Sequence, residues 1–288
     1  MSNVKELYQH LVNETKKFFE STGFNKAVIG LSGGIDSALV ATITCDALGP
    51  GNVLGICMPS KYSSGGSLID SKSLAINLRI KCVEVPINDI YDKIWTMLID
   101  SMNIGFWSGS YCDDFFIQHN KEVSITEQNI QARVRMIILY AFANKYNMLV
   151  MNTCNLTEDQ LGYATMYGDG AGAISPLGNI GKLMVYELAE ERNTKRGFPI
   201  PENILTKAPS AELAPGQTDE GSLKYPYSIL DPLTRLIRFQ EKMGTIVDSS
   251  LSAKFGEKAI EDVKKLMKDN AFKLKQSPPA IDVSSYYE

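Results

Sequence analysis

A glycine-rich turn between a short apolar strand and a helix constrains this sequence more than any other feature. Residues 26–31 (KAVIGL) have the apolar, β-rich character of a buried strand, Ser32-Gly33-Gly34 follow as a turn, and residues 38–48 have the pattern of a helix. Glycines allow a tight turn whose backbone N–H groups point at a ligand, and the helix N-terminus adds partial positive charge. The turn therefore suits a phosphate group, although a plain strand-to-helix turn capped by Ser or Asp is the alternative.

The alternation of short strands and helices continues along the chain. Further strands are predicted at 52–58, 81–85 and 148–152, and helices at 68–78, 87–102 and 125–146, after a first helix within residues 1–24. This alternation is typical of a parallel sheet covered on both faces. We therefore predict an α/β fold with a doubly wound parallel sheet and extra helices near 230–241 and 257–268.

The chain is predicted to form a single domain over residues 1–288, because no internal repeat divides it. Residues 105–121 have no clear period and are predicted to be a loop or lid. Residues 207–225 contain two prolines, two glycines and few large apolar side chains, which predicts a mobile loop. Residues 271–288 form a polar C-terminal tail.

Composition excludes several classes of protein. The net charge of −4 offers no basic excess for nucleic acid, and no apolar run reaches the ~18–20 residues that cross a bilayer. Five cysteines without a CxxC pair favour a reduced, cytoplasmic protein. Only two histidines exist, His10 and His119, which makes a histidine-based zinc site nearly impossible to build. Both histidines are expected at the surface.

Carboxylates follow two of the predicted strands. Asp36 comes after the first strand and Glu158 after the fourth, and residues at the carboxyl ends of such strands converge on the crevice where open α/β sheets bind ligands. Two carboxylates together with phosphate oxygens make an oxygen-rich Mg²⁺ site. The alternative is that Asp36 caps its helix and Glu158 lies on the surface.

The glycine-rich turn (SGGIDS, 32–37) resembles the SGGxDS pyrophosphate loop of the N-type ATP pyrophosphatases. Segments along the rest of the chain resemble one branch of that superfamily, the NAD synthetases. They are 127–136 (EQNIQARVRM), 152–158 (NTCNLTE), 163–170 (YATMYGDG), 207–213 (KAPSAEL), 216–220 (GQTDE) and 273–279 (KLKQSPP). The matches run in family order from about residue 25 to the end.

The resemblance implies an ATP-dependent ligase that amidates deamido-NAD⁺ with ammonia through an adenylated intermediate, releasing AMP and pyrophosphate. It implies ATP as a substrate, Mg²⁺ as a cofactor and a homodimer. Two alternatives stay open: another N-type ATP pyrophosphatase that amidates or thiolates a different acceptor, and a non-catalytic adenine-nucleotide-binding module.

The resemblance also assigns site residues. The catalytic residues are Asp36, Lys182 and Ser210, and Asp36 and Glu158 hold the metal ion. The ATP-binding residues are Gly30, Leu31, Ser32, Gly33, Gly34, Ile35, Asp36, Ser37, Thr153, Lys182 and Ser210. The deamido-NAD-binding residues are Arg133, Glu158, Tyr163, Ala164, Thr165, Met166, Asp169 and Lys273.

Two arginines lie close together on the predicted helix at 125–146. Arg133 and Arg135 are two residues apart on a helix, point about 200° apart and cannot face one ligand. The resemblance gives the deamido-NAD contact to Arg133, and for Arg135 we expect a structural ion pair. The same helix has apolar residues on more than one face, among them Ile137 and Tyr140, which predicts burial by a partner subunit.

The sequence departs from the ammonia-only branch of the family. That branch has a lysine at Met166 and an aspartate at Ala173, whereas the synthetase half of the glutamine-dependent branch lacks both. The present sequence is more similar to that half, including MPSKYSSGGS at 58–67. Only 25 residues precede the first strand, so we expect no glutaminase domain and turnover with ammonium but not glutamine.

Overall fold

A computed structural model describes residues 2–103, 123–195, 197–243 and 254–286. The four strands are β1 Ala27–Gly30, β2 Val53–Cys57, β3 Lys81–Glu84 and β4 Leu149–Val150. The helices are α1 Ser2–Thr22, α2 Ile35–Leu48, α3 Gly65–Leu78, α4 Asn88–Asn103, α5 Ile125–Tyr146, α6 Leu156–Leu161, α7 Lys182–Lys195, α8 Glu202–Thr206, α9 Asp219–Leu223, α10 Tyr227–Met243 and α11 Glu257–Leu274. Short 3₁₀ turns lie at Pro50–Asn52 and Ser284–Tyr286.

The sheet is parallel and has the order β3-β2-β1-β4. Its register pairs Ala27 of β1 with Val53 of β2 and with Leu149 of β4. After β1 the chain adds strands on one side and then returns to the other, so the order reverses next to β1. Ligands of open α/β sheets bind at such a reversal, outside the carboxyl ends of the strands.

Helices cover both faces of the sheet, because successive strand residues point to opposite sides. Ala27 and Ile29 of β1 pack in one apolar cluster with α1, α2, α3 and α7, whereas Val28 packs in another with α4 and α5. Every residue of β2 is buried, as expected for a strand with helices on both sides. The prediction of a doubly wound α/β fold is confirmed.

A third apolar cluster lies outside these two layers and is formed by α6, α10 and α11. α10 and α11 are the extra helices that the sequence predicted, although α11 continues to Leu274, beyond the predicted end. None of the helices in the described parts of the chain is both long and apolar enough to cross a membrane.

The polar C-terminal tail is more ordered than its composition indicates. Ile281 and Val283 alternate along an extended segment and are buried in the cluster that contains α1 and α2. The tail also meets α1 at His10, whose Nε2 lies 2.7 Å from the carbonyl oxygen of Asp282. His119 and the predicted loop or lid at 105–121 lie outside the described residues.

A buried polar group joins α1, α2 and α7. The carboxylate of Asp46 accepts two bonds from the Arg192 guanidinium, at 2.7 and 3.0 Å, and one from the Tyr8 hydroxyl at 2.8 Å. Burial and the Asp46 carboxylate together raise the pKa of Tyr8, so its hydroxyl stays a donor. This group fixes the start of the chain against α7.

We expect Asp46→Ala to lower the free energy of unfolding by about 3 kcal/mol, because it leaves Arg192 buried without its carboxylate. Urea denaturation measures the change. The matched control is Glu14→Ala, which removes an exposed ion pair with Lys17 on α1 and costs less than about 1 kcal/mol. Equal effects of the two substitutions would contradict a structural role for the Asp46 group.

Candidate functional site

A cavity of about 250 Å³ lies at the carboxyl ends of the strands. The glycine-rich turn after β1 forms one wall, and residues from α5, from the segment after β4 and from residues 207–213 complete it. Of the predicted ATP-binding residues, those that line the cavity are Gly30, Leu31, Ser32, Gly34, Ile35, Asp36, Ser37, Thr153, Lys182 and Ser210.

The turn is shaped by its own side chains and by a close approach to α3. Gly34 is the N-cap of α2, and Ser37 donates to its carbonyl oxygen at 3.0 Å. Gly33 does not line the cavity, but it has φ of +77° and a Cβ there would lie 2.4 Å from the carbonyl oxygen of Ser67. Position 33 therefore requires glycine on both conformational and steric grounds.

Lys182 lies at the centre of the polar wall. Its Nζ donates to the Asp36 carboxylate at 2.5 Å and to the Glu158 carboxylate at 2.9 Å, and its side chain is 2% exposed. Burial opposes the charged form, but Asp36 and Glu158 outweigh it and raise the pKa of Lys182. Burial raises the pKa of Glu158 to about 8, against the pull of the ammonium group. Asp36 does not cap its helix.

Buried polar contacts hold Lys182 in this position. Asp231 accepts from the Thr157 hydroxyl at 3.1 Å and from the backbone N–H of Leu183 at 3.0 Å, which fixes the starts of α6 and α7 against each other. Asn155 caps α6 and donates to Asp36 at 2.9 Å. The ends of β1 and β4 are thereby joined to the first turn of α7.

Asp219 is a third carboxylate at the cavity, and the sequence reasoning did not assign it a role. It is 4% exposed, lines the cavity and accepts from the Tyr227 hydroxyl at 3.0 Å through Oδ2, while its buried Oδ1 has no hydrogen-bond partner among the described residues. Burial raises its pKa. The ring of Tyr227 lies 5.1 Å from the Lys182 Nζ.

Residues 207–213 lie against the start of α3. The Glu212 carboxylate accepts from the backbone N–H and hydroxyl of Ser64, at 3.2 and 3.0 Å, and from the Ser67 hydroxyl at 2.6 Å. Lys207 also donates to the Ser67 hydroxyl, at 2.7 Å. Glu212 has φ of +49°, which is unusual for a residue with a side chain. These contacts fix the loop over the cavity, beside the glycine-rich turn.

Ser210 lies within this loop, and its hydroxyl forms hydrogen bonds with other residues of the loop. It donates to the carbonyl oxygen of Gln217 at 2.5 Å and accepts from the Glu212 N–H at 3.1 Å. A contact with a nucleotide therefore requires the hydroxyl to exchange partners. The predicted mobile loop at 207–225 also contains α9, which begins where Thr218 caps it.

The residues predicted to bind deamido-NAD divide between two places. Glu158, Tyr163 and Asp169 line the main cavity. A smaller cavity of about 20 Å³ is lined by the remaining members apart from Arg133, namely Ala164, Thr165, Met166 and Lys273.

Lys273 and Thr165 form hydrogen bonds within the fold. Lys273 donates to the carbonyl oxygens of Gly162 and Ala164, at 2.7 and 3.0 Å. Thr165 donates to the Asn129 side chain at 2.7 Å. Both sets of bonds hold the segment that directly follows α6, at residues 162–165.

Arg133 and Arg135 diverge as their spacing predicts. Arg133 is exposed and its Nε donates to the carbonyl oxygen of Met166 at 3.2 Å. Arg135 lines the main cavity, and its Nε donates to the carbonyl oxygen of Met58 at 3.0 Å. Within the described residues its only bond is to this carbonyl oxygen, so the ion pair expected for Arg135 is not seen there and stays a prediction.

The donor set at Lys182 fits a divalent cation in part. Asp36 and Glu158 contact the same nitrogen, and Asp219 lines the cavity on the same side. The described residues contain no group of three His, Cys, Asp or Glu side chains that is arranged to hold a metal ion. A bound ion would therefore need oxygen atoms from phosphate groups or water as well.

We expect Glu212→Gln to loosen the loop, because the neutral amide accepts less strongly from Ser64 and Ser67. Losing charge-assisted bonds worth about 2 kcal/mol raises the open fraction at least tenfold. Limited proteolysis should then cut within residues 207–225 faster. Glu202→Gln, an exposed position just before the loop, is the control and should cut at the wild-type rate. Equal cleavage rates in all three proteins would contradict a role of Glu212 in holding the loop closed.

A family model described as NAD synthase matches residues 7–277. A glutamine-dependent NAD(+) synthetase of Thermotoga maritima is 39% identical over 98% of this chain and 46% of its own length. An NH(3)-dependent NAD(+) synthetase of Helicobacter pylori is 36% identical over 96% of this chain and 95% of its own.

Solved structures point the same way. The structure of NMN synthetase from Francisella tularensis matches with a TM-score of 0.73 and 31% identity, over 94% of this chain and 95% of that one. The chain spans about half the length of the glutamine-dependent curated relatives it matches. The matches cover the glycine-rich turn, the Lys182 wall and the loop that closes the cavity, and the chain belongs to the NAD synthase family.

Proposed function

We propose that this protein is an NAD⁺ synthetase that amidates deamido-NAD⁺ with ammonia, using ATP and releasing AMP and pyrophosphate. The observation that carries the proposal is the buried Lys182, paired with Asp36 and Glu158 and facing the glycine-rich turn. A non-catalytic nucleotide-binding module would need no such wall. Family membership supports the assignment.

In the first step, the carboxylate of the acceptor attacks the α-phosphate of ATP, forming an adenylate and releasing pyrophosphate. Backbone N–H groups of the turn at 32–37 and the start of α2 bind the phosphate oxygens. Lys182 stabilises the negative charge that develops on the phosphate, because it is buried and already oriented. Asp36 and Glu158 would hold a Mg²⁺ ion, which would supply further neutralisation of that charge when bound.

In the second step, ammonia attacks the activated carbonyl carbon and AMP leaves. No covalent enzyme nucleophile is needed, since the adenylate is the activated species. The loop at 207–225 has a separate task here. It opens to admit the substrates and, when closed over the cavity with Ser210 at the phosphates, it excludes the water that competes with ammonia.

Tyr163 and Asp169 line the main cavity and would contact the acceptor there. The other residues predicted to contact the acceptor, at 164–166, Arg133 and Lys273, do not line this cavity.

The neighbour named for NMN synthesis favours a second candidate, in which the product is NMN rather than NAD⁺. The two candidates share the chemistry and differ in whether the acceptor has an adenylyl half. Both acceptors therefore belong in the assay.

The assay combines the protein with ATP, Mg²⁺, deamido-NAD⁺ and either ammonium or glutamine. We expect NAD⁺ and AMP with ammonium and neither with ammonia-free glutamine, and a lower kcat/KM with the mononucleotide acceptor. Turnover with glutamine would contradict the choice of nitrogen donor, and a higher kcat/KM with the mononucleotide would favour the second candidate. Absence of AMP with both acceptors would contradict the proposed function.

Lys182→Met should lower kcat/KM about 100- to 1000-fold, the usual cost of removing a group that stabilises charge in the transition state. The control is Lys264→Met, at an exposed position on α11, which should keep wild-type kinetics. Thermal melting of both variants shows whether the effect is on chemistry or on folding. A loss of less than tenfold in a folded Lys182→Met protein would contradict the role of this lysine.

We also propose a homodimer through the outer face of α5. Ile137 is 65% exposed and Tyr140 is 41% exposed on this face, which is more apolar surface than a helix facing water usually has. Ile138, about 100° around the helix from Ile137, is buried against the core. A second copy of the chain would cover the outer side chains.

Sedimentation at micromolar concentration should show a dimer for the wild type and a monomer for Ile137→Glu, because a buried unpaired carboxylate opposes association. The control is Ile76→Glu on α3, where the side chain is 75% exposed and no partner is proposed. A wild-type monomer, or a dimer that tolerates Ile137→Glu, would contradict this interface.

A further inference from the structure

Arg135 presents a guanidinium group to the main cavity. It extends from α5 towards the end of β2, where its Nε donates to the carbonyl oxygen of Met58 at 3.0 Å. Gly30, Asp36 and Lys182 line the same cavity, so Arg135 faces the space where the proposed reaction takes place. The single anchor through Nε leaves both terminal nitrogens without a protein acceptor among the described residues.

The charge of Arg135 has no close counterion within the described parts of the chain. Asp169 and Glu212 attract it, but neither reaches it with a hydrogen bond or ion pair, and burial lowers the pKa of Arg135 to about 10. The group is therefore still charged at neutral pH. A half-buried charge that has no carboxylate partner among the described residues is costly, and proteins keep such a group where a ligand completes it.

We infer that Arg135 is a substrate-binding residue whose terminal nitrogens bind an oxyanion of the reacting pair. A guanidinium anchored at Nε presents two parallel N–H donors, which match a carboxylate or a phosphate. Two sources offer that chemistry: the phosphates of ATP and the carboxylate or phosphates of the acceptor. Arg133 does not reach this space, since it is exposed and bonded to Met166. The inference rests on the proposed function only for the identity of the acceptor.

The test separates a ligand-binding role from a structural one. Thermal melting of wild type, Arg135→Met and Arg135→Lys is measured without ligand, with ATP and Mg²⁺, and with deamido-NAD⁺, followed by kinetics with each substrate varied. Arg79→Met, at an exposed position after α3, is the matched control. The melting measurements do not require turnover, so a protein inactive in the proposed reaction still reports on Arg135.

We expect the Arg135→Met protein without ligand to melt at or above the wild-type temperature, because a half-buried charge that lacks a carboxylate partner among the described residues has been removed. The increase in melting temperature that one of the substrates causes should become smaller in Arg135→Met. The KM for that substrate should increase about tenfold or more, and Arg135→Lys should be intermediate in both. A change confined to ATP identifies the phosphates as the partner, and one confined to deamido-NAD⁺ identifies the acceptor. An Arg135→Met protein that melts several degrees lower without ligand but keeps both ligand responses would overturn the inference, as would wild-type behaviour throughout.

Discussion

The bonds of Lys182 to Asp36 and Glu158 are the interaction on which the site depends. Asp36 is in the first turn after β1, Glu158 is in the first turn of α6 and Lys182 begins α7, so one ammonium group joins three segments that are distant in sequence. Such a group is expensive to bury and stable only when every partner is in place. The sheet order brings the ends of β1 and β4 together, and Asn155 and Asp231 fix the geometry around them.

The balance of charge around Lys182 explains why the cavity suits a nucleotide and a cation together. Asp36, Glu158 and Asp219 lie around a single lysine on one wall, and burial raises the pKa of Glu158 and Asp219 there. Arg135 lies on another wall and has no carboxylate partner among the described residues. A metal–phosphate complex would add positive charge where the carboxylates are and negative charge where Arg135 is. On this account, the substrates complete the electrostatics of the fold.

Much of this architecture could be predicted from the sequence, because strands and helices have distinct periods. Residues 125–146 begin with a Ser124–Glu127 capping box and end at the left-handed Asn147, which are local signals. The packing of the C-terminal tail could not be predicted in this way, because Ile281 and Val283 are only two apolar residues in a polar stretch. Their burial depends on contacts with α1 and α2, which no local pattern reveals.

The site divides in the same way. The glycine-rich turn and Asp36 were predictable, because strand, turn and helix adjoin in the sequence. Glu212 and Asp219 were missed although they lie in quoted segments. Glu212 bonds to α3, which is distant in the sequence, and Asp219 reaches the cavity only through the way α9 and α10 fold. For the two arginines, helical spacing predicted that they diverge, but only the tertiary structure shows that Arg135 is the one that enters the cavity.

Exchange of radiolabelled pyrophosphate into ATP, measured without ammonia, tests most directly whether the Lys182 wall is where the acceptor is adenylated. The adenylate cannot be amidated under these conditions, so the first step runs in both directions and nothing else contributes. The account predicts exchange that requires deamido-NAD⁺ and that falls at least 100-fold in a folded Lys182→Met protein. Exchange that proceeds without any acceptor, or that survives the loss of Lys182, would contradict it.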